Sequence, residues 1–294
     1  MKTLTVFTPT YNRAHLLPRL YESLCRQTVQ DFLWMVIDDG STDHTKELVE
    51  KWKAENKIEI DYYYKENGGM HTGHNLAYKN CKTELNTCID SDDFMPDNAV
   101  ELILKKWKEA EDKEKLAGII GLDTDHDGNI IGTGFPENLI RGSYYELMRG
   151  KNKVRGDKKF VLRTDIVRQY PSYPEYPGEK LVPLGILYLM IEQDYNYLYS
   201  NEVYCIVEYQ QEGSSASILR QYKQSPRGFG YARIVGKELT FNLRRNLIQS
   251  IHLGSCAIFA KDLSLIFKGK KILMNVLMFP LAILLNVYIR FKIR

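Results

Sequence analysis

The sequence has 294 residues, of which 44% are hydrophobic and 26% are charged, enough for one large domain with an appendage or for two modest domains. This composition excludes a disordered chain, a collagen-like repeat and a polytopic membrane protein. The five cysteines are scattered without a CxxC spacing, which argues against a disulfide scaffold or a zinc ribbon and fits a reducing compartment.

The net charge of +3 is unevenly distributed along the chain. No acidic residue follows Asp262, whereas six basic residues lie between Lys268 and Arg294, so the preceding part has 34 basic and 37 acidic residues. An acidic body is unfavourable for nucleic-acid binding, and a basic, apolar tail is attracted to an anionic membrane surface. The apolar run at the N-terminus breaks at Pro9 and is too short for a signal peptide, so we expect the body in the cytosol.

The first half of the chain alternates between strand and helix patterns. Strands are predicted at 3–8, 32–37, 58–64, 85–89 and 119–122, and helices at 16–27, 41–56, 73–82 and 98–113. This β-α order predicts an α/β fold with a mostly parallel central sheet flanked by helices. Because ligands bind such sheets at the carboxyl ends of the strands, the candidate sites are 9–13, 38–43 and 90–93.

From about Leu122 the pattern is less regular. Asp127–Gly128 predicts the turn of a hairpin, 204–209 a strand, and 141–148, 181–195 and most of 225–261 helices. Residues 170–178 are rich in Tyr and Pro and are predicted to be irregular. The sequence has neither GxGxxG nor GxxxxGK[ST], which makes a dinucleotide Rossmann site or a P-loop improbable.

Two acidic loops follow predicted strands. In Asp90-Ser91-Asp92-Asp93, three carboxylates repel one another unless a cation compensates, and hard oxygen ligands suit Mg²⁺ or Mn²⁺ shared with substrate phosphates. A solvated loop that caps the next helix is the alternative. In the loop 38–43, a carboxylate can bind a nucleoside N–H or ribose hydroxyls, or Ser41 or Thr42 can simply cap a helix.

Four segments in this order resemble the family 2 glycosyltransferases, which have the GT-A fold. They are Thr8-Pro9-Thr10-Tyr11-Asn12-Arg13, the Asp39 loop, Asn67-Gly68-Gly69 through Asn75, and Asp90-x-Asp92. The resemblance covers roughly residues 3–105, and a weaker one to capsular- or exopolysaccharide-type members, in 178–183 and 201–210, extends to about Gln211. We therefore expect a catalytic domain at 1–215, with a nucleotide-binding half at 1–105 and an acceptor half at 106–215. A helical extension at 216–267 and a membrane-associating segment at 268–294 would follow.

The resemblance implies a site for a nucleotide sugar. Its residues would be Thr8, Pro9, Thr10, Tyr11, Arg13, Asp38, Asp39, Asn67, Gly69, His71, Asn75, Asp90, Ser91 and Asp92. Asp39 would contact the base, most often uracil, and Asp90 would lie near the ribose. Asp92, with Asp90, would bind a Mn²⁺ or Mg²⁺ cofactor that bridges the diphosphate and neutralises the charge growing on the leaving group.

The sequence departs from the family pattern at two positions. Transfer with inversion needs a carboxylate base, and relatives of this kind are expected to carry one shortly after Val182-Pro183, where this chain has Leu184. We predict Glu179 as the catalytic base, with a surface charge at a helix entry as the alternative. Met70 stands where relatives usually have Lys or Arg, and His71, His74 or Arg13 are the candidates to replace that cation.

Three further motifs have competing interpretations. The two histidines of His71-Thr72-Gly73-His74 can contact the nucleotide, pack in the core or, less favourably without a third ligand, bind a metal. The run Asp123-x-Asp125-x-Asp127-Gly128 begins like an EF-hand, but Gly134 at the twelfth position excludes one and favours a surface hairpin. Tyr170, Tyr173 and Tyr176 can stack on an acceptor sugar or pack on the domain.

The tail contains an 18-residue segment, 272–289, that is apolar except for Asn275, Asn286 and Pro280. As a helix it would be roughly 27 Å long, which is marginal for a bilayer core of about 30 Å. The two asparagines differ by only about 20° around the axis, so they form a narrow polar stripe with basic residues at both ends. This pattern favours an in-plane or re-entrant anchor over a span, or over a helix buried against a partner subunit.

These features together predict a metal-dependent, inverting glycosyltransferase, of hexosyl- or N-acetylhexosaminyl type, at the cytoplasmic face of the membrane, peripheral or monotopic. It would transfer a sugar from a UDP-sugar to a polysaccharide or lipid-linked acceptor in cell-surface glycan synthesis. No nucleic-acid partner is expected, and a homo-oligomer is left open. The alternatives are a catalytically inactive sugar-nucleotide or glycan-binding subunit, suggested by Leu184 and Met70, and a nucleotidyltransferase, disfavoured because 8–13 has no glycine.

Overall fold

The computed structural model describes residues 2–149, 154–208, 218–240 and 242–293. The strands are β1 (Leu4–Thr10), β2 (Phe32–Asp38), β3 (Ile60–Tyr64), β4 (Leu85–Cys88), β5 (Leu116–Thr124), β6 (Arg141–Gly142), β7 (Lys158–Arg163) and β8 (Asn196–Ile206). Helices of the first 170 residues are α1 (Leu17–Cys25), α2 (Thr45–Glu55), α3 (Met70–Asn80), α4 (Ala99–Lys108), α5 (Tyr144–Arg149) and α6 (Thr164–Val167). They are followed by α7 (Gly185–Ile191), α8 (Ile218–Gln224), α9 (Pro226–Glu238), α10 (Leu243–Phe259) and α11 (Ile272–Lys292). Short 3₁₀ turns lie at Lys113–Lys115 and Leu263–Phe267.

The chain divides into two compact units. The first comprises Met1–Ser172 and Ile191–Gln210, and the second Tyr173–Met190 and Gln211–Arg294. The predicted boundary between 215 and 216 lies outside the described residues. So do Tyr209 and Gln210, the last residues of the segment 201–210 that carries the weaker family resemblance. Unlike the predicted organisation, the division groups Tyr173–Met190, and with it Glu179, with the C-terminal helices.

The sheet lies in the first unit, with the strand order β3-β2-β1-β4-β7-β5-β8-β6. Neighbours β3, β2, β1 and β4 are parallel, and so are β5 and β8, whereas β7 runs antiparallel between β4 and β5 and β6 runs antiparallel to β8. The mostly parallel sheet is thus confirmed, with β7 as an unpredicted insertion. Because β4 and β5 are both antiparallel to β7, they point the same way, and the ends of β1, β2, β4 and β5 meet at one edge.

The core of the first unit follows from continuous apolar runs in the central strands. Every residue of β1 and β2 is buried, as expected for strands covered on both faces. On one face, the ring of Tyr21 stacks on Trp52 at a centroid distance of 4.4 Å, and Trp34 packs beside both. These rings fix α1 and α2 against β2, which sets the position of the loops that follow β1 and β2.

Several predicted elements differ from the observed ones. The predicted helix 181–195 contains only α7, because Pro183 has no N–H to donate and favours extended backbone before it. The predicted helix 141–148 is a short strand followed by α5, and β8 begins eight residues before the predicted strand at 204. Neither Ser41 nor Thr42 caps α2, since Asp43 instead accepts the Thr45 N–H at 3.1 Å.

In the second unit, α11 packs its polar stripe inward against α10. Asn275 accepts from the Ser250 hydroxyl at 2.9 Å and from the Lys237 ammonium, and it donates to the Ile266 carbonyl at 2.7 Å. Asn286 donates to the Ser255 carbonyl at 3.2 Å. The two asparagines lie on the same side of the helix, as predicted. Their hydrogen bonds are formed inside the unit, however, so the polar stripe does not face an aqueous interface.

The remaining circumference of α11 is apolar and exposed. Leu273 and Phe291 are 72% and 74% exposed, and the other exposed apolar residues are Ile272, Val276, Leu277, Leu281, Ile283, Leu284, Val287 and Tyr288. Of the helices that the structure describes, α11 alone has the length and the mean hydropathy, 2.2, that crossing a bilayer requires. Thus α11 is joined to its own unit by polar groups and presents apolar groups outward.

Candidate active site

The loop after β1 is tied to the loop after β2 by hydrogen bonds. Asn12 adopts a left-handed backbone with φ of 53°, its N–H donates to the Ser41 hydroxyl at 3.0 Å, and its side-chain oxygen accepts the Thr42 N–H at 2.7 Å. Tyr11 remains 48% exposed beside it. The Thr10 hydroxyl is buried and has no hydrogen-bond partner among the described residues. Such an orphaned group is costly unless a ligand or water satisfies it.

Thr8 and Pro9, which the sequence also assigned to the nucleotide site, lie within β1 itself. Both are buried, and the Thr8 hydroxyl accepts from the Trp34 indole N–H at 3.0 Å. Thr8 therefore supports the strand that positions the Thr10–Arg13 loop.

The two adjacent aspartates at the end of β2 organise different neighbours. Asp38 accepts from the Ser41 N–H at 2.7 Å and the Tyr62 hydroxyl at 2.6 Å, so it braces its own loop against β3. Asp39 accepts from the Gly68 and Gly69 N–H groups at 2.9 and 2.7 Å and from the Lys65 ammonium at 2.6 Å.

The loop that follows β2 lies close to the turn that precedes α3. Gly40 has φ of +86°, and a Cβ there would lie 2.8 Å from the Asn67 nitrogen, so only glycine fits this close approach. The structure thus brings Asp39, Asn67 and Gly69 together, as the sequence predicts. The contact of Asp39 with a nucleobase stays a prediction.

The first turn of α3 contributes buried and exposed residues. His71 and His74 are buried, Asn75 is partly buried, and Met70 is 41% exposed. His74 packs edge-on against Phe7 at 4.9 Å and forms a hydrogen bond of 3.1 Å with the Tyr78 hydroxyl. Burial lowers the pKa of His74 to about 4, so it is neutral at physiological pH. This arrangement gives His74 a core role and does not supply the cation missing at Met70.

The loop after β4 places a carboxylate beside an arginine from the loop after β1. The Arg13 guanidinium lies 3.2 Å from the Asp92 carboxylate and donates to the Ser91 hydroxyl at 3.2 Å. Both charged side chains are partly exposed, at 36% for Arg13 and 17% for Asp92. Arg13, Ser91 and Asp92 were assigned to one site from the sequence, and they meet here.

The donor groups near Asp92 fit a cation that is shared with a substrate. Asp90 and Asp92 are hard carboxylate ligands, both partly accessible, and no group of three His, Cys, Asp or Glu side chains suited to a metal occurs within the described ranges. Mg²⁺ and Mn²⁺ in phosphate-binding sites take one or two protein carboxylates and complete their shell with phosphate oxygens and water. The protein set therefore fits a substrate-bridged ion and does not fit a closed structural metal site.

Three charged residues near this loop were missed as site residues. Asp93 is buried, its carboxylate accepts the Glu208 N–H at 3.1 Å, and burial raises its pKa to about 7. Lys159 of β7 is attracted electrostatically to Asp93, to Asp90 and to Asp123 at the end of β5. Asp123 was predicted to lie in a surface hairpin but is only 2% exposed. The same carboxyl-end rule that selected Asp90, applied to the strand predicted at 119–122, would have found it.

Glu179 lies in the second unit and holds the start of α9. Its two carboxylate oxygens accept from the N–H groups of Arg227 and Gly228 at 3.1 and 2.9 Å, and the Arg227 guanidinium lies 3.6 Å away. A carboxylate at a helix N-terminus satisfies amides that have no partner in the helix. These contacts give Glu179 a structural function, and its role as the base stays a prediction.

Of the three tyrosines in the irregular segment, only Tyr173 is buried. Tyr173 is 4% exposed and donates to the Leu184 carbonyl at 2.9 Å. Tyr170 donates to the Asp194 carboxylate at 2.7 Å, and Tyr176 is partly buried. Packing therefore accounts for Tyr173.

Comparison with known proteins agrees with this architecture. The model of the family described as glycosyl transferase family 2 matches residues 5–128. The chain is 31% identical over 135 residues to a chondroitin synthase of Pasteurella multocida, a match that covers 45% of this chain but only 14% of that protein. It is 27% identical over 162 residues to the glycosyltransferase GlyG of Streptococcus pneumoniae, with 53% and 52% covered.

Two solved structures share the fold over nearly the whole chain. S. aureus TarS 1–349 in complex with UDP-GlcNAc has a TM-score of 0.61 at 18% identity, with 96% of this chain and 79% of that one covered. The mannosyltransferase PcManGT from Pyrobaculum calidifontis, in complex with GDP-Man and Mn²⁺, has a TM-score of 0.55 at 16% identity, with 97% and 87% covered. The chain has the GT-A fold, and its residues 5–128 match the model of glycosyl transferase family 2.

Proposed function

We propose that the chain is a metal-dependent, inverting glycosyltransferase that takes a sugar from a UDP-linked donor. The observation that carries this proposal is the convergence of the loops after β1, β2 and β4 at one sheet edge. There, Arg13 pairs with Asp92 at 3.2 Å, and the buried Thr10 hydroxyl has no partner among the described residues. A cation, a carboxylate and a hydroxyl group without a hydrogen-bond partner at the same sheet edge suit a ligand that carries phosphates and hydroxyl groups.

Each residue of the proposed site would have a particular role in the reaction. Asp92 and Asp90 would hold Mg²⁺ or Mn²⁺, which supplies charge neutralisation of the departing diphosphate. Arg13 would add a second positive charge to the same oxygens, in place of the basic residue absent at Met70. Asp39 keeps the Gly68–Gly69 turn in place at the entrance to α3. The proton acceptor for the incoming hydroxyl group is predicted to be Glu179.

Features of the second unit support a proposal for the acceptor and the cellular location. Helix α11 exposes leucines along most of its circumference and has the exposed basic residues Lys268, Lys270, Arg290 and Lys292 at its ends. An apolar helix face with cationic flanks binds at the surface of an anionic membrane. We therefore propose an in-plane anchor at the cytoplasmic face, with a polysaccharide or lipid-linked acceptor.

Release of the sugar from a nucleotide-sugar panel tests this function. UDP-linked and GDP-linked hexoses and N-acetylhexosamines are incubated with the chain in Mn²⁺, in Mg²⁺ and in EDTA, and free nucleotide is measured. We expect slow metal-dependent hydrolysis of one UDP-sugar, because water replaces the acceptor.

A binding-only subunit is the second candidate, favoured by the contacts that hold Glu179 at α9 and by Leu184 at the expected acidic position. It would bind the nucleotide sugar and leave it intact under all conditions, even when membrane-derived glycan acceptors are added.

A further inference from the structure

Asp123 is a buried carboxylate whose hydrogen-bonding capacity the protein leaves unused. It is 2% exposed, and its Oδ1 atom has no hydrogen-bond partner in the part of the chain that the structure describes. A buried carboxylate without a donor is strongly unfavourable, because desolvation is not compensated. Burial accordingly raises the pKa of Asp123 above its ordinary value. The position retains a group that destabilises the ligand-free protein.

Lys159 provides a cation next to this carboxylate. It lies in β7 opposite Gly121 of β5, and Asp123 is two residues further along β5, which places the two on the same face as diagonal neighbours. Burial opposes the charge of Lys159, but attraction to Cys205, Asp123, Asp93 and Asp90 raises its pKa well above the ordinary value. Within the described ranges, the Lys159 ammonium makes no hydrogen bond and has no carboxylate oxygen within 4.0 Å. Among the described residues, the Lys159 ammonium is therefore a hydrogen-bond donor that is attracted to nearby carboxylates but has no acceptor.

The pair lies at the same sheet edge as the proposed diphosphate site. Strands β4 and β5 point in the same direction on either side of β7, so their carboxyl ends, at Asp90 and Asp123, adjoin across Lys159. Asp90 and Asp123 also interact electrostatically. A ligand whose diphosphate lies at Asp90 and Asp92 would thus bring its next chemical group to Asp123.

The charges of the pair select the kind of group that fits. At Asp123 itself, a metal ion is disfavoured by the adjacent Lys159 ammonium, and a phosphate is disfavoured by the carboxylates of Asp93 and Asp123. A neutral hydroxyl group donates to a carboxylate and accepts from an ammonium at the same time. Vicinal hydroxyl groups of a sugar satisfy both unfilled positions without adding charge.

We propose that Asp123 and Lys159 bind hydroxyl groups of the glycosyl moiety of the donor and so determine which sugar is accepted. This inference rests on the proposed function, since it takes the diphosphate to lie at Asp90 and Asp92. It adds a sugar-recognition pair that lies beyond the four segments which carry the family resemblance. In this proposal Asp123 binds hydroxyl groups of the sugar and does not contact the anomeric carbon, where the reaction takes place.

The test separates recognition of the sugar from recognition of the nucleotide. Calorimetric titrations of UDP and of UDP-linked glucose, galactose, their N-acetylamino forms and glucuronic acid are made in Mn²⁺ on wild type, Asp123→Asn and Lys159→Gln. We expect wild type to bind one UDP-sugar at least about tenfold more tightly than UDP. Each variant should lose that preference while its affinity for UDP stays within about twofold of the wild-type value. Asp127→Asn, an exposed aspartate of the following turn, is the matched control and should keep the preference.

The double variant Asp123→Asn/Lys159→Gln guards against misfolding, because removing both charges leaves neither one buried and unpaired. Variants that keep the wild-type preference, or that weaken UDP and UDP-sugar equally, would overturn the assignment. Wild type that binds UDP but prefers no sugar would overturn it as well. If wild type binds no UDP while it remains folded, the proposed function itself fails, and the inference falls with it.

Discussion

The sheet edge of the first unit and helix α11 of the second unit satisfy their polar groups in opposite ways. At the edge, apolar strands are buried, while Arg13, Asp90 and Asp92 remain partly accessible where the strands end. In α11, Asn275 and Asn286 are buried, at 0% and 3% exposure, while leucines face outward. The sheet edge therefore leaves charged groups accessible to solvent, whereas α11 leaves apolar side chains accessible.

This difference indicates two kinds of external partner. Charged and hydroxyl groups with unfilled hydrogen bonds suit a polar, phosphorylated ligand, and an exposed leucine face suits a lipid surface. The comparison also changes how the tail should be tested. Deleting 268–294 would remove Ile289 and Phe279 from the core of the second unit, so substitutions on the outer face of α11 are the cleaner probe.

The largest effect is expected from Asp92→Asn at the sheet edge. Loss of this carboxylate removes a ligand for the cation and leaves Arg13 without its partner, so the rate of donor hydrolysis should fall at least about a hundredfold. Steady-state release of nucleotide measures it, with Asp127→Asn as control. A change smaller than threefold would show that Asp92 does not act in the reaction.

The outer face of α11 is tested by Leu277→Lys/Leu284→Lys. Both leucines are more than 60% exposed, and burying such side chains contributes about 1.5–3 kcal/mol each, so partition onto anionic vesicles should weaken at least about a hundredfold. Co-sedimentation with phosphatidylglycerol vesicles measures this. Ile140→Lys, at a position in the first unit with 65% exposure, should pellet like wild type. Equal sedimentation of all three proteins would refute the anchor.

The inner face of α11 is tested by Asn275→Leu. The change leaves the buried Lys237 ammonium and Ser250 hydroxyl without their shared acceptor, which should lower the free energy of unfolding by about 2–4 kcal/mol. Denaturant unfolding measures the loss, and adding Lys237→Met should recover most of it. An unfolding free energy within about 0.5 kcal/mol of wild type would mean that the stripe does not join α11 to its unit.

A smaller, pH-dependent effect is expected from His74 in α3. Because its folded-state pKa is lowered from 6.5 to about 4, the unfolded chain binds a proton between these values that the folded protein does not. Stability from this residue is therefore present above pH 6.5 and is lost as the pH falls. Between pH 7 and 5, wild type should lose about 2 kcal/mol relative to His74→Gln.

The comparison with His74→Gln is needed because Asp93 acts in the opposite direction. Its folded-state pKa is raised to about 7, so protonation of Asp93 favours the folded state as the pH falls. Unfolding curves for both proteins at several pH values give the difference. A difference that does not change with pH would contradict a neutral, buried His74.

The smallest effect on stability concerns Glu179. Replacement by glutamine weakens the interaction with the first amides of α9 and should cost about 1 kcal/mol of stability. Thermal unfolding measures this. Because Glu179 is the proposed base, the variant should also lower the transfer rate more than a hundredfold with unchanged donor affinity, and an unchanged rate would leave Glu179 only its structural role.

The family-matched segment, residues 5–128, could be predicted from the sequence because its signals are local. Strands β1 and β2 are apolar runs that end at Thr10 and Asp38, so both the strands and the loops at their ends are visible in the pattern. Asp39, Gly69, Asp90 and Asp92 then follow from the carboxyl-end rule and the resemblance.

Strand β7 could not be predicted, because it carries two lysines in the middle of a sheet. The Lys158 ammonium donates to the carbonyls of Ile131, Arg155, Gly156 and Asp157, and Lys159 faces carboxylates of other strands. The partners of Lys158 are backbone carbonyls, and those of Lys159 lie far away in the sequence. A local sequence pattern therefore does not predict these contacts. The burial of Asn275 and Asn286 could not be predicted for the same reason, because the groups that bind them lie in α9 and α10.

The central claim is tested most directly by titrating UDP into wild type and Asp92→Ala, each with Mn²⁺ and with EDTA. The account predicts that wild type binds UDP in Mn²⁺ at least about tenfold more tightly than in EDTA, and that Asp92→Ala loses this metal dependence. Metal-independent binding by both proteins, or no binding by wild type while it remains folded, would contradict a metal-bridged donor site at the end of β4.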